Sequence, residues 1–470
     1  MSKLDANTIL PASWNFVPLK ELGDWSGGGT PSKAKPQYWH GGTIPWVSPK
    51  DMKTERISDS EDHITKEAVS HSATSLINAG SVLIVTRSGI LRHTLPVAVN
   101  SVPVTVNQDL KALIPRNGIV AEYVAWALRA FSRDILHTCS KQGTTVNSVE
   151  TSKLLGFEIP VAPRSQQAKI VAEIEKQFSR LDQAVANLKR VKANLKRYKA
   201  SVLKAAVEGK LTEDWRKLHP NTEPASKLLE RILAERRAKW NGRGKYKEPA
   251  EMDASTRTCL PDGWLWASIE SLSAKVVDGV HKKPNYVSSG VPFVTVRNLT
   301  AGPGIDLGKL NFVTKEDHEQ FIKRADPREG DILISKDGTL GVVRVIRTKA
   351  IFSIFVSVAL VKPVLKEMSD YLGIALSSPQ VQVQMVPKGS GLQHIHLEDL
   401  REDCVPVPTL DEQRKIVSQV ERRLSVIEEL EAAVHANLTR ADRLRQSILA
   451  TAFAGKLVKI NPAKMMRGGY

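Results

Sequence analysis

Apolar residues recur every seven positions along one stretch, at Ile174, Leu181, Leu188, Leu195 and Val202, and again at Val420, Ile427, Val434, Ala441 and Ile448. An apolar period of seven with polar residues between predicts a long helix that buries one narrow stripe. Each stretch runs for about 40 residues without Pro or Gly. Ser165 and Asp411 stand where they can cap the start, and Gly209 and Gly455 where they can end it. At 1.5 Å per residue such a helix is about 60 Å long. A second apolar row runs from Phe178 and Val185 and shifts to Val191 and Tyr198, as a 3.6-residue turn drifts against a pattern of seven.

The two stretches are copies. IPVAPRSQQAKIVAEIEKQF at Ile159–Phe178 returns as VPVPTLDEQRKIVSQVERRL at Val405–Leu424, and the match continues without a gap, 246 positions on, to Leu211 and Leu457. Pro160, Val161, Gln167, Lys169, Ile170, Val171, Glu175, Leu203, Ala206 and Gly209 are among the residues with identical counterparts. A period this long marks a duplicated half-molecule, not a solenoid. Two such stripes most simply bury each other as a coiled coil; the alternative is that each packs on its own globular part. Antiparallel pairing would set the basic Lys189, Arg190, Lys192, Lys196, Arg197 and Lys199 near Glu421, Glu428, Glu429 and Glu431, which would set orientation more than stability.

Outside the helices the pattern is strand-like. Between Trp14 and about Leu155, short apolar runs are broken by turns at Gly41–Met52, Ala79–Ile90, Leu95–Asn100 and Leu110–Pro115, with one helical run at Val120–Phe131. The second part repeats the order at Ser289–Thr300, Glu329–Ile346 and Phe352–Pro363, then a helical Tyr371–Ser378. Each part opens on a Pro-x-x-Trp segment ending in Trp14 or Trp264, both assigned to core. Each closes on a Gly-containing loop, Lys141–Val149 or Lys388–Leu397. The fold class is therefore α+β, two β-rich domains separated by a pair of long antiparallel helices in a pseudo-twofold repeat. The divisions fall at 1–158, 159–211, a charged connector at 212–259 with a short helix over Leu228–Trp240, 260–404, and 405–470.

The net charge of +17 suits a polyanion partner. Cys139, Cys259 and Cys404 lie far apart, which argues against a disulfide framework or zinc site and fits a reducing cytoplasm. The longest apolar run, Ile351–Val361, alternates like one buried strand and is too short to span a bilayer. No signal-peptide pattern opens the chain, so it reads as cytoplasmic.

Catalytic motifs are missing. Every Gly-Lys pair is followed by Leu or Tyr, which excludes a Walker A loop. His318-Glu319 is followed by Ile322 where a zincin needs histidine. Asn461-Pro462 continues with Ala, unlike an amino-methyltransferase signature, and Gly27-Gly28-Gly29 precedes Thr30-Pro31 as a turn. His394 and His396 have no third ligand beside them, so no metal is expected. What remains is basic, amide and hydroxyl side chains on loops. In the first part these are Lys33, Lys35, Tyr38, Ser48, Lys50, Arg87, Ser88, Arg92, His93, Lys141, Thr144, Thr145 and Asn147. In the second they are His281, Lys282, Lys283, Arg297, Asn298, Lys336, Asp337, Lys388, Ser390, Gln393 and His394. Arg and Lys can donate to guanine and Asn and Gln can bond adenine, while lysines more often hold phosphates.

The QQxKIV opening and VLKAAVEGKLT ending of the long helix, with the segments Thr30–Met52, Pro224–Trp240 and Gly389–Leu400, resemble the DNA-specificity subunits of type I restriction–modification enzymes over essentially the whole chain. The resemblance implies a non-catalytic bacterial or archaeal subunit whose two recognition domains each read half of a bipartite, asymmetric site in double-stranded DNA. The paired helices would act as spacer. It further implies two modification subunits carrying S-adenosylmethionine and two restriction/translocase subunits using ATP and Mg, with no cofactor on this chain. From the residues alone, two rivals stay open: a coiled-coil adaptor with non-specific DNA binding, and a fused methyltransferase or nuclease with unrecognised motifs.

Overall fold

The computed structural model describes residues 10–141, 147–240, 245–250, 258–385, 387 and 393–458. The chain divides into two compact units, residues 1–189 with 435–470 and residues 190–434.

In the first unit a five-stranded sheet runs in the order Gly23–Gly27, Leu110–Pro115, Val82–Val85, Val97–Asn100, Arg56–Ile57. A three-stranded sheet centres on Ile44–Val47, antiparallel to Asp62–Ile64 and parallel to Thr105–Val106. Asn15–Pro18 pairs antiparallel with Glu158–Val161. The strand Val82–Val85 is buried at every residue, as a strand covered on both faces must be. The helix Ala121–Ala130 packs on it and on Val97–Asn100.

Among the described residues the second unit repeats this plan in all but the edge strand Arg56–Ile57. Its four-stranded sheet runs Ser273–Asp278, Val358–Pro363, Ile332–Ser335, Val343–Val345. Its three-stranded sheet centres on Val291–Val294, antiparallel to Asn311–Val313 and parallel to Ser353–Ile354. Leu265–Ser268 pairs with Cys404–Val407. Backbone details recur as well. Gly28 and Gly279 each lie where a Cβ would come within 2.0 Å of a carbonyl oxygen, that of Asn107 in one unit and Ile354 in the other. Only glycine lets the strand leave the large sheet so close to the smaller one.

Two helices of 44 residues, Arg164–Val207 and Leu410–Phe453, carry the repeat. In the first unit Ile170, Val171, Ile174 and Phe178 share a core with Ile448, Leu449, Ala452 and Phe453. In the second, Val202, Leu203, Ala206 and Val207 share one with Ile416 and Val420. Each core joins the start of one helix to the end of the other, so the pairing is antiparallel. All the heptad residues are buried except Leu188, which is half-buried. Each helix ends on a left-handed glycine, Gly209 at φ 70° and Gly455 at φ 71°, where a side chain would also strike Pro261 or Pro11.

Several expectations need correction. Neither Ser165 nor Asp411 caps a helix: the first begins at Arg164 after Pro163, and the second is capped by Thr409, whose hydroxyl accepts the Glu412 amide at 3.3 Å. Val191 and Tyr198, in the shifted second row, are exposed. Lys199 shares a groove with Glu421, Glu428 and Glu431, but Glu421 pairs with Arg347 of the β-rich part at 3.6 Å. A cross-helix ion pair forms in the other half, between Asp182 and Arg445. The run Ile351–Val361 is not one strand. It turns at Phe355, and its halves Ser353–Ile354 and Val358–Pro363 belong to different sheets. The connector helix spans Ala225–Ala238 and buries Leu228 and Ile232. Among the described residues no helix is long and apolar enough to cross a membrane.

Candidate nucleic-acid interface

In the first unit the strand Val82–Val85 runs out into Thr86, Arg87 and Ser88, and here the fold gathers candidates that lie far apart in sequence. The Val149 amide donates to the Thr86 carbonyl at 2.7 Å, and the Ser88 amide donates to that of Asn147 at 3.1 Å. Arg87 and Ser148 form an antiparallel bridge. The Arg87 guanidinium donates through Nε to Asp109 Oδ1 at 2.6 Å. Asn107 Nδ2 holds the other Asp109 oxygen at 3.2 Å. Asp109 was not among the sequence candidates, and nothing in its neighbours along the chain singles it out. Its role appears only when the chain brings it beneath Arg87. Lys33, Lys35, Arg92, His93 and Lys141 are exposed. Thr144, Thr145, Lys388 and Ser390 lie outside the described residues.

The second unit gathers a basic group around a buried carboxylate. Asp278 accepts from Arg324, lies 3.2 Å from His281 Nε2, and is 3.4 Å from Lys336 Nζ. Lys282 and Lys283 follow His281 on an exposed loop. Arg324 stands in no recognisable motif and was also missed. A polar concavity of about 600 Å³ is lined by Arg297, Lys309, Asn311 and Ser357 among others. Asp337 and His394 form an antiparallel bridge, and the His394 and His396 rings lie 4.5 Å apart.

Burial removes four candidates from any outer surface. Tyr38 packs with Trp46, Ile64 and Ala68, and its hydroxyl contacts the His71 carbonyl at 3.4 Å. Ser48 donates to Asp51 at 2.9 Å inside a turn. Asn298, expected to be free for an adenine, accepts the Thr295 amide and donates to the carbonyls of Asp306 and Lys309, so its amide is spent inside the fold. Lys336 points inward to Asp278. Lys50 remains exposed but is engaged by Asp62 at 2.9 Å and Glu61 at 3.2 Å. His318 is a core residue that contacts Ser353 Oγ at 2.8 Å.

The Asp278 group makes stability depend on acid. Burial favours its neutral form, but hydrogen bonds from Arg324 and His281 and the charges of Arg324 and Lys336 outweigh burial and hold the carboxyl below its ordinary 3.8. A carboxylate with a lower pKa when folded stabilises the fold above its unfolded pKa of about 4 and stops doing so as pH falls through the folded value. Asp278→Asn is expected to flatten the acid side of the second unit's stability curve. Urea midpoints taken stepwise below about pH 5 read it; curves of equal slope for wild type and variant would exclude the effect.

Comparison with known proteins places this arrangement. The family model described as the type I restriction modification DNA specificity domain matches residues 11–197 and 280–440. The chain is 47% identical over 167 residues to the EcoR124I/EcoR124II specificity subunit of Escherichia coli, covering 36% of this chain and 41% of the relative. It is 27% identical over 319 residues to the EcoBI specificity subunit of the same organism, covering 67% and 61%. The chain thus spans less than two thirds of the length of these curated relatives. A chain solved in work on complex assembly and conformational transition of the type I R-M system shares its fold, with a TM-score of 0.65 at 18% identity over 95% of this chain and 99% of that one. With the family model matching well over half its residues, in both units and along both long helices, the chain belongs to the type I restriction modification DNA specificity family.

Proposed function

We propose that the chain is the non-catalytic specificity subunit of a type I restriction–modification complex and binds a bipartite, asymmetric sequence in double-stranded DNA. Each β-rich domain reads one half-site, and the paired helices hold the two readers at a set spacing. Two modification subunits dock on the helices and bring S-adenosylmethionine; two restriction/translocase subunits bring ATP and Mg. The observation that carries this reading is one strand plan, built twice, with different side chains at the same loop positions. A shared plan lets both units approach a duplex in the same way, and different side chains make the two half-sites differ. The net charge of +17 supplies the sequence-independent attraction. The exposed and half-buried candidates, Lys33, Lys35, Arg87, Ser88, Arg92, His93, Lys141 and Asn147 in one unit and His281, Lys282, Lys283, Arg297, Asp337, Gln393 and His394 in the other, are proposed to contact bases or phosphates.

Replacing residues 10–155 by another recognition domain of the family is expected to change one half-site and leave the other intact. Selection of bound sequences from a randomised duplex pool reads this directly. A change in both halves would refute independent reading, and equal binding to every duplex would favour the adaptor.

A further inference from the structure

Superposing the two strand plans by their hydrogen bonds, not by sequence, pairs individual loop positions. The Thr86 amide donates to the Asp109 carbonyl at 2.8 Å, and the Lys336 amide donates to the Ser357 carbonyl at 2.9 Å. The Val149 amide donates to the Thr86 carbonyl at 2.7 Å, and the Ile395 amide to the Lys336 carbonyl at 2.9 Å. The next residue along forms an isolated antiparallel bridge in each unit, Arg87 with Ser148 and Asp337 with His394. Arg87 and Asp337 therefore occupy one position of the fold, and Asp109 and Ser357 occupy the position beneath it.

The chemistry at this position is reversed between units. In the first, a guanidinium is clamped through Nε by a carboxylate; the Arg87 side chain is still 56% exposed, and that of Asp109 21%. Clamping at Nε restrains the plane of the fork and leaves its terminal nitrogens as donors. Two parallel donors match guanine O6 and N7. In the second unit a carboxylate replaces the arginine, a serine replaces the supporting carboxylate, and Ser357 lines the polar concavity with Arg297 and Lys309. Lys336, next in the chain, is drawn inward by Asp278 at 3.4 Å. A carboxylate here can only accept, and the base group that donates in the major groove is an exocyclic amino group.

We propose that this shared position determines specificity, with Arg87 reading a guanine in one half-site and Asp337 reading the amino group of a cytosine in the other. The proposal rests on half-site reading and goes beyond it by naming the position and the two base chemistries.

The test is reciprocal exchange in the full chain, Arg87→Asp with Asp109→Ser and, separately, Asp337→Arg with Ser357→Asp. Each is followed by selection from a randomised duplex pool and by affinity for single-base variants of the wild-type site. Each exchange should alter one base position in one half-site, the first losing about 10- to 100-fold for the original guanine and the second gaining guanine in place of cytosine. Arg87→Lys and Asp337→Asn, which disturb the fold least, should broaden the choice at those same positions. Preferences left unchanged, or an equal loss on every sequence, would overturn the proposal while half-site reading survives. A wild-type chain that enriches no sequence would overturn both.

Discussion

Replacing Glu412 by alanine is expected to cost the second unit about 3–5 kcal/mol, the penalty for breaking a buried ion pair from one side. Glu412 is almost fully buried at the start of the second long helix. One oxygen accepts from Thr212 Oγ1 at 2.7 Å and from Arg216 Nη1; the other accepts from Trp264 Nε1 at 2.8 Å. The single carboxylate thus ties together the segment that ends the first helix, the entry to the second β-rich domain, and the second helix. Without it Arg216 keeps its charge but loses its partner, and the indole N–H and the threonine hydroxyl lose their acceptor. Denaturant unfolding with hydrogen exchange would read the loss and place it in the second unit. A cost below about 1 kcal/mol would mean that water satisfies all three donors.

The same place in the first unit shows why the acid is there. Gln166 stands at the matching helix position and accepts from Trp14 Nε1 at 2.9 Å. The repeat offset puts Val458 where the other copy has Thr212, and Pro462 where it has Arg216. There a neutral amide serves the tryptophan, and the sequence has a proline at the position matching the arginine. Glutamine thus stands with proline in one copy and glutamate with arginine in the other.

Coupled positions of this kind mark the limit of what the residue pattern discloses. The long helices were legible to within a residue or two because a period of seven, uninterrupted for 40 residues or so, has one physical solution. Their pairing followed from two stripes needing cover, and its antiparallel sense from the basic end of one helix and the acidic start of the other. The β-rich domains were legible only as runs of short strands. The repeated order of runs was legible, but strand order depends on contacts distant in sequence, so which strand pairs with which was hidden: Val82–Val85 and Ile332–Ser335 hold the same place in their sheets, and nothing local says so. The split of Ile351–Val361 between two sheets was hidden for the same reason, since alternation does not say which sheet a strand joins. Among candidate contacts, Asn298 and Tyr38 misled because amide and phenol groups serve turns and cores as readily as bases. Arg324 and Asp109 were invisible because their value lies in a partner brought near by folding.

Phe453→Ala is expected to cost the first unit about 3–5 kcal/mol, the range for emptying a buried aromatic site. Phe453 is the last residue of the second long helix, and it is fully buried. Its ring meets Tyr123 edge-on at 5.2 Å and lies 6.1 Å from Phe131, both from the helical segment that covers the large sheet. Tyr123 in turn donates its hydroxyl to the Pro160 carbonyl at 2.9 Å, at the strand leading into the first long helix. Removing the ring would open a cavity where the end of one long helix meets the start of the other, so the effect should reach residues more than 300 positions away in the chain. Hydrogen exchange in Ala121–Ala130 should rise with the loss of stability, while Leu444→Ala, nine positions earlier and half exposed on the same helix, should change stability by less than about 0.5 kcal/mol. Equal effects of the two substitutions would mean that the helix end is not part of the first unit's core. A large effect of Phe453→Ala alone would establish that the first β-rich domain is completed by the far end of the chain, as the second is completed by the end of the first helix, where Val207 takes the place of Phe453.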